Sequence, residues 1–110
     1  MNLDTQIQHV ILEIVEKLKR EYQPTKIILF GSYAYGQPDR DSDIDLLIIK
    51  DTPDRPIDRR VAVSKIVSDP KRLTPFESLV LTSSELQERL EVGDLFLREI
   101  LAKGEVLYEA

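Results

Sequence analysis

The sequence predicts an α/β domain, and three observations carry that prediction. Apolar residues near the start recur with a 3.6-residue rhythm, three later runs are short, apolar and branched, and capping or breaking residues punctuate the segments between them. A chain of 110 residues suits one core and no second one, so residues 1–110 are read as a single domain.

The elements follow in chain order. From Leu3 onward, Ile7, Val10, Ile11, Ile14, Val15 and Leu18 form the apolar stripe of an amphipathic helix, with Gln, Glu, Lys and Arg opposite. His9 lies off that stripe and is read as a solvated surface residue, since no partner for its imidazole is in view. Pro24 closes the helical region, and Lys26 to Phe30 is the first strand. Leu46-Leu47-Ile48-Ile49 belongs to a second. The loop Asp51 to Pro56 leads into a helix ending near Ser68, with Asp54 or its neighbour as cap and Pro56 in the first turn. Ile57, Val61, Ile66 and Val67 are its expected apolar side, and Asp58, Arg59, Arg60 and Lys65 its solvated side. Asp69-Pro70 breaks it. Phe76 to Thr82 reads as a third strand, and Thr82 with Glu85 offers a capping box for a short helix with Leu86 and Leu90 inward. Val92-Gly93-Asp94 permits a bend before a last helix through Leu95, Phe96, Ile100 and Leu101. Gly104 ends that helix as a C-terminal cap, and Val106-Leu107-Tyr108 returns as an edge strand.

Composition narrows the function classes. Hydrophobic residues at 42% and charged residues at 32% are ordinary for a soluble globular protein. A net charge of -5 argues against a broad, sequence-independent grip on nucleic acid, which needs basic patches, so no direct nucleic-acid binding is expected. The absence of cysteine removes disulfides, thiolate nucleophiles and zinc-cysteine sites, and fits a reducing interior. With no signal-type stretch near Met1 and no run of bilayer length, the expectation is a cytoplasmic protein without membrane contact.

The chemistry concentrates in Gly31 to Asp45, GSYAYGQPDRDSDID, which joins the first two strands. Gly31 allows a tight turn, and Ser32 with the peptide N–H groups after it can face an anion where a helix begins. Asp43 and Asp45 alternate across one residue, so they project from one strand face about 6 to 7 Å apart, a spacing that suits a shared cation. A Walker loop would need Gly-Lys-Ser/Thr, and a dinucleotide fingerprint a third glycine; neither is present. What remains is a small anion cradle near two acids, able to hold a nucleoside triphosphate and bound magnesium. Asp39 and Asp41 precede the strand and are read as turn residues. Glu77 heads the third strand as Asp45 heads the second, each above an apolar face, and an unpartnered carboxylate there is costly. Two unit charges about 4 Å apart repel by about 1 kcal/mol in water and about 4 kcal/mol at an effective dielectric of 20. Hard divalent cations relieve that repulsion.

The string GSYAYGQPDRDSDIDLLII resembles the signature of the DNA polymerase beta-like nucleotidyltransferase superfamily in its small form, the minimal nucleotidyltransferase. Gly31-Ser32 stands ten residues before Asp43-Ile44-Asp45, as in that family. Two positions depart from the pattern: Glu77 stands where a third aspartate is usual, and Tyr35 where arginine is common. The resemblance implies a small mixed β-sheet with helices packed chiefly on one face. It also implies transfer of AMP from ATP to a hydroxyl with release of pyrophosphate. Gly31 and Ser32 would hold the triphosphate, Asp43 and Asp45 two Mg2+ ions, and Glu77 the catalytic ion and the acceptor proton. Stand-alone members are usually antitoxins of HEPN-domain ribonuclease toxins, some of which they adenylylate on tyrosine, and that role and partner are expected here. Alternatives are an antitoxin acting by contact alone and an enzyme modifying a small molecule of the aminoglycoside type.

Overall fold

The structure is a computed structural model that describes residues 4–39, 41–72 and 74–110. Leu3, from which the sequence predicts the first apolar stripe, and Arg40 in the glycine-to-aspartate stretch lie outside the described residues. The elements are α1 (Thr5–Glu21), β1 (Lys26–Phe30), α2 (Ser32–Tyr35), β2 (Ile44–Ile49), α3 (Pro56–Val67), β3 (Phe76–Leu81), α4 (Ser83–Glu91), α5 (Leu95–Lys103) and β4 (Glu105–Glu109). The sheet order is β3-β2-β1-β4. β1 runs antiparallel to both β2 and β4, whereas β2 and β3 are parallel, with α3 as the crossover between them. The sheet is therefore mixed, as expected, and β4 is an edge.

β2 is central because both its faces are covered. Ile44, Leu46 and Ile48 join Ile27, Leu29 and Val80 in a core closed by α1, α2 and α3. Leu47 and Ile49 join Ile28 and Leu81 under α4 and α5. Among the described residues, three of the five helices, including the two longest, thus lie on one face.

α1 starts where Asp4 Oδ1 accepts the Gln6 N–H at 2.7 Å, and it buries Ile11, Ile14, Val15 and Leu18. Each such side chain contributes about 1.5–3 kcal/mol, against about 1 kcal/mol for a cap, so packing rather than capping holds this helix. Gln23, with φ of 54°, turns the chain out ahead of Pro24. His9 is exposed, as expected.

α3 departs from the sequence reading. Its buried residues are Arg59, Val63 and Val67, while Ile57 and Val61 are exposed. The helix is rotated because Arg59 finds inward partners: its guanidinium donates to the Asp54 carbonyl (2.8 Å), the Val80 carbonyl (3.4 Å) and Glu85 Oε1 (2.6 Å). A buried cation so satisfied outcompetes Ile57 and Val61 for the core position. Nor does a side chain cap α3: Arg55 occupies the cap, and Pro56, which has no N–H to satisfy, opens the first turn.

The capping box of α4 is present, Thr82 Oγ1 accepting the Glu85 N–H and Glu85 Oε1 accepting the Thr82 N–H. Arg59 beside Glu85 holds that carboxyl below its ordinary range, so one oxygen ties α3, β3 and α4 together. Gly93, with φ of 83°, makes the bend into α5. There Leu97 and Ile100 are buried, whereas Leu95, Phe96 and Leu101 are exposed. Gly104 does cap α5, but in extended rather than left-handed backbone. Its glycine is required by close approach instead: a Cβ would stand 2.5 Å from the Ile100 carbonyl oxygen, 2.8 Å from Ile28 Cγ2 and 3.0 Å from the Leu29 carbonyl oxygen. Among the described residues no helix is long and apolar enough to cross a membrane.

Gly104→Ala is accordingly expected to destabilise the fold by about 1–3 kcal/mol, because two of the three obstructing atoms are backbone. Its thermal midpoint should fall by at least about 4 °C in calorimetry; an unchanged midpoint would contradict this packing.

Candidate active site

Strand register assembles the site. Phe30 pairs with Asp45 across β1 and β2, and Asp45 pairs with Glu77 across β2 and β3, so one row of the sheet reads Phe30-Asp45-Glu77. The row lies at the end of the sheet where β1 finishes and β2 and β3 begin. Asp45 and Glu77 share the face that continues into Leu47 and Ile49 and into Leu79 and Leu81. That face is covered further along by α4 and α5.

Gly31 follows Phe30 directly and delivers the chain into α2. Its φ of 76° lies in the left-handed region, and the Asp45 carboxylate packs so tightly beneath it that a Cβ would collide with Asp45 Oδ2. Position 31 therefore needs glycine twice over, once for the turn and once for the acid. Ser32 opens the single turn of α2, whose carbonyl–amide bonds run from Gly31 to Ala34 and Tyr35 at 3.0 Å each. Tyr33 is buried beneath this turn and donates its hydroxyl to the Ser42 carbonyl at 3.4 Å.

The return loop is pinned just ahead of Asp43. Ser42 is buried, its hydroxyl accepts the Asp39 N–H at 2.8 Å, and Asp39 Oδ1 accepts the Asp41 N–H at 2.9 Å. Asp39 and Asp41 are thus turn residues, as expected. Ile44 N–H donates to the Pro75 carbonyl at 2.8 Å, fixing the start of β2 against β3. Asp43 is held between these two anchors.

The acids sense one another. Burial, then Asp43, then Glu77 push the Asp45 carboxyl up from 3.8 to about 6. Burial pushes the Tyr33 phenol up as well, with Asp39 and Asp43 adding to it. Glu77 is more exposed, and its Oε2 lies 3.7 Å from an Arg60 guanidinium nitrogen on α3. Among the described residues, Asp43, Asp45 and Glu77 occupy one end of the sheet without closing into a three-carboxylate group around one point. Sequence reasoning missed Arg60, Ser42 and Tyr33. Only a buried serine in a turn had a local signal, the Asp-x-x-Ser spacing of Asp39 and Ser42.

Comparison with known proteins decides the family. The nucleotidyltransferase domain family matches residues 11–106, which include Gly31, Ser32, Asp43, Asp45 and Glu77. The chain belongs to the nucleotidyltransferase domain family. It is 33% identical over 103 residues, 92% of this chain and 97% of the relative, to "Putative protein adenylyltransferase MJ0604" of Methanocaldococcus jannaschii. A second protein of that organism, "Putative protein adenylyltransferase MJ1305", is 41% identical over 64 residues, covering 56% of this chain and 44% of the relative. In fold, the nucleotidyltransferase is similar to a crystal structure described as a "putative nucleotidyltransferase from Sulfolobus solfataricus". The TM-score is 0.64 at 19% identity, covering 99% of this chain and 92% of that one.

A nucleotidyltransferase of this family works on a nucleoside triphosphate with a divalent metal, and the donors here fit a hard cation. They are carboxylate oxygens, and the Asp45 carboxyl, raised first by burial and then by Asp43 and Glu77, lies where a cation would offset the charge of its neighbours. Asp43 and Asp45 would hold it, with Glu77 joining them after parting from Arg60.

The raised Asp45 value sets a pH dependence for the metal-free protein. Between about pH 4 and 6 the native chain binds more protons at this group than the unfolded chain, so the stability from protonated Asp45 is full below about pH 4 and lost as pH rises through about 6. In chelator, the midpoint of the wild type is expected to fall across this window more steeply than that of Asp45→Asn. Parallel melting curves would show that Asp45 does not titrate there.

Proposed function

We propose that this nucleotidyltransferase moves AMP from ATP, with Mg2+, onto a protein hydroxyl, and that it acts as an antitoxin by so modifying a tyrosine of a HEPN-domain ribonuclease partner. The observation that carries the chemistry is the Phe30-Asp45-Glu77 row set against the Gly31 turn, which puts two acids beside the triphosphate cradle. Support for a protein acceptor comes from the relative that matches nearly its whole length, named as a protein adenylyltransferase.

In this reading the Ser32 and Tyr33 N–H groups and the Ser32 hydroxyl orient the phosphates, since the N–H groups that open a helix precede its first carbonyl partners, whereas those of Ala34 and Tyr35 already donate to the Gly31 carbonyl. Asp43 and Asp45 hold Mg2+, which when bound offsets charge on the entering and leaving oxygens. Glu77 takes the acceptor proton as the tyrosine oxygen bonds to the α-phosphorus, the bond from that phosphorus to the β-bridging oxygen breaks, and pyrophosphate leaves. For Glu77 to serve, its 3.7 Å pair with Arg60 must open; both side chains are more than half exposed, so the pair costs little to break.

A second reading has one specific observation behind it. Glu77 is paired with Arg60 rather than gathered with Asp43 and Asp45 around one point, which favours neutralisation of the partner by contact alone.

Incubation of labelled ATP, magnesium and the HEPN partner separates the two. The wild type is expected to label the partner and the Asp43→Asn, Asp45→Asn double variant to lose labelling, and label transferred by the double variant would refute the acid-pair mechanism. Glu77→Gln should keep the fold and cut transfer by at least about 100-fold, the scale of losing a general base. Partner neutralisation by wild type without any labelling would establish the contact-only reading.

A further inference from the structure

A cleft of about 580 Å³ opens between the end of α2 and the last turns of α5, lined by Tyr35, Gln37, Glu99 and Lys103. Its size falls in the range of roughly 300 to 1,000 Å³ found for small-ligand pockets. Two features place it beside the site. Tyr35 is one hydrogen-bonded turn from Gly31, and Gly104, next to Lys103, packs against the Leu29 carbonyl at the end of β1. Among the described residues, Lys103 is the one cation lining the cleft. Its Nζ lies 3.5 Å from Glu99 Oε1, and the two side chains are 65% and 50% exposed, so Lys103 is free to exchange that partner for another anion.

We propose that this cleft receives the pyrophosphate end of the bound nucleotide and that Lys103 is its cation. This rests on the nucleotidyltransferase reading. A triphosphate approaching this end of the sheet meets Asp43, Asp45 and Glu77, while the Gly31–Ser32 turn offers only neutral donors. Arg60, on α3, stands beside Glu77 at the β3 side of the row, away from the turn that follows β1. A charge from α5 balances the polyanion from the α2 side and stays with pyrophosphate as the α-phosphorus bond breaks. Lysine suits that task as a compact point charge on a flexible stem. Glu99 competes for the same ammonium and thereby weakens the site.

Titration calorimetry with magnesium and ATP, pyrophosphate or AMP tests the inference. Lys103→Gln is expected to weaken ATP and pyrophosphate alike by about tenfold, the loss of one charge-assisted hydrogen bond, while leaving AMP unchanged. Lys103→Arg should restore most of the affinity, and Glu99→Gln should tighten ATP and pyrophosphate. Both residues are exposed, so each variant is expected to fold, and its midpoint will confirm it. Wild-type affinity for ATP and pyrophosphate in Lys103→Gln, or an equal loss for AMP, would overturn this inference alone. A wild-type protein that binds no ATP would overturn it together with the reading on which it rests.

Discussion

The structure depends on a carboxylate held at the head of a buried strand. Asp45 stands between Phe30 and Glu77 with Gly31 pressed onto it, and the four residues after it on β2 are all buried. Burial and two neighbouring acids raise its affinity for a proton, which means that the ionised form the chemistry needs is the form the fold resists. Much of the nearby structure makes that arrangement possible. Gly31 yields the space of a side chain, Ser42 and Ile44 anchor the loop on either side of Asp43, and Tyr33 fills the volume under the turn.

Adjacent arginines on α3 show how one helix serves both stability and site. Arg59 points inward, joins the Val80 carbonyl and Glu85, and locks α3 to β3 and to the cap of α4. Arg60 points outward and reaches Glu77 at the head of the same strand. The first is a buried charge with its hydrogen bonds met, so removing a partner would strand it. The second is a surface pair of little energetic weight, which leaves Glu77 available for exchange. The rotation of α3 that buries Arg59 is therefore also what sets Arg60 beside the site.

The second face of the sheet reaches the site from the other side. Leu97 and Ile100 seat α5 on Ile28, Leu47 and Leu81. Phe96, exposed on the same helix, meets Phe30 edge to face at 5.8 Å between centroids, next to the Phe30-Asp45-Glu77 row. The end of α5 is drawn against β1 by Gly104, where no side chain intervenes. Helices from both faces thus border one end of the sheet.

Much of this was legible in the residues. The period of α1, the capping box of Thr82 and Glu85 and the turn chemistry at Gly31 are properties of short segments, because each depends on atoms a few residues apart. The sequence by itself determined that an α/β domain would carry Gly31 and Ser32 on the turn after the first strand and Asp45 near the head of the second, whereas Asp43, expected on that strand, lies just ahead of it. Register and helix phase were decided only in three dimensions. That Glu77 stands opposite Asp45 follows from the parallel pairing of β2 with β3, and that Arg59 is buried while Ile57 and Val61 are exposed follows from partners on β3 and α4. The same holds for Lys103, brought beside Tyr35 by the packing of Gly104. The physical reason is common to all three: periodicity says which residues share a face, but the free energy of pairing that face with a distant segment chooses which way it turns.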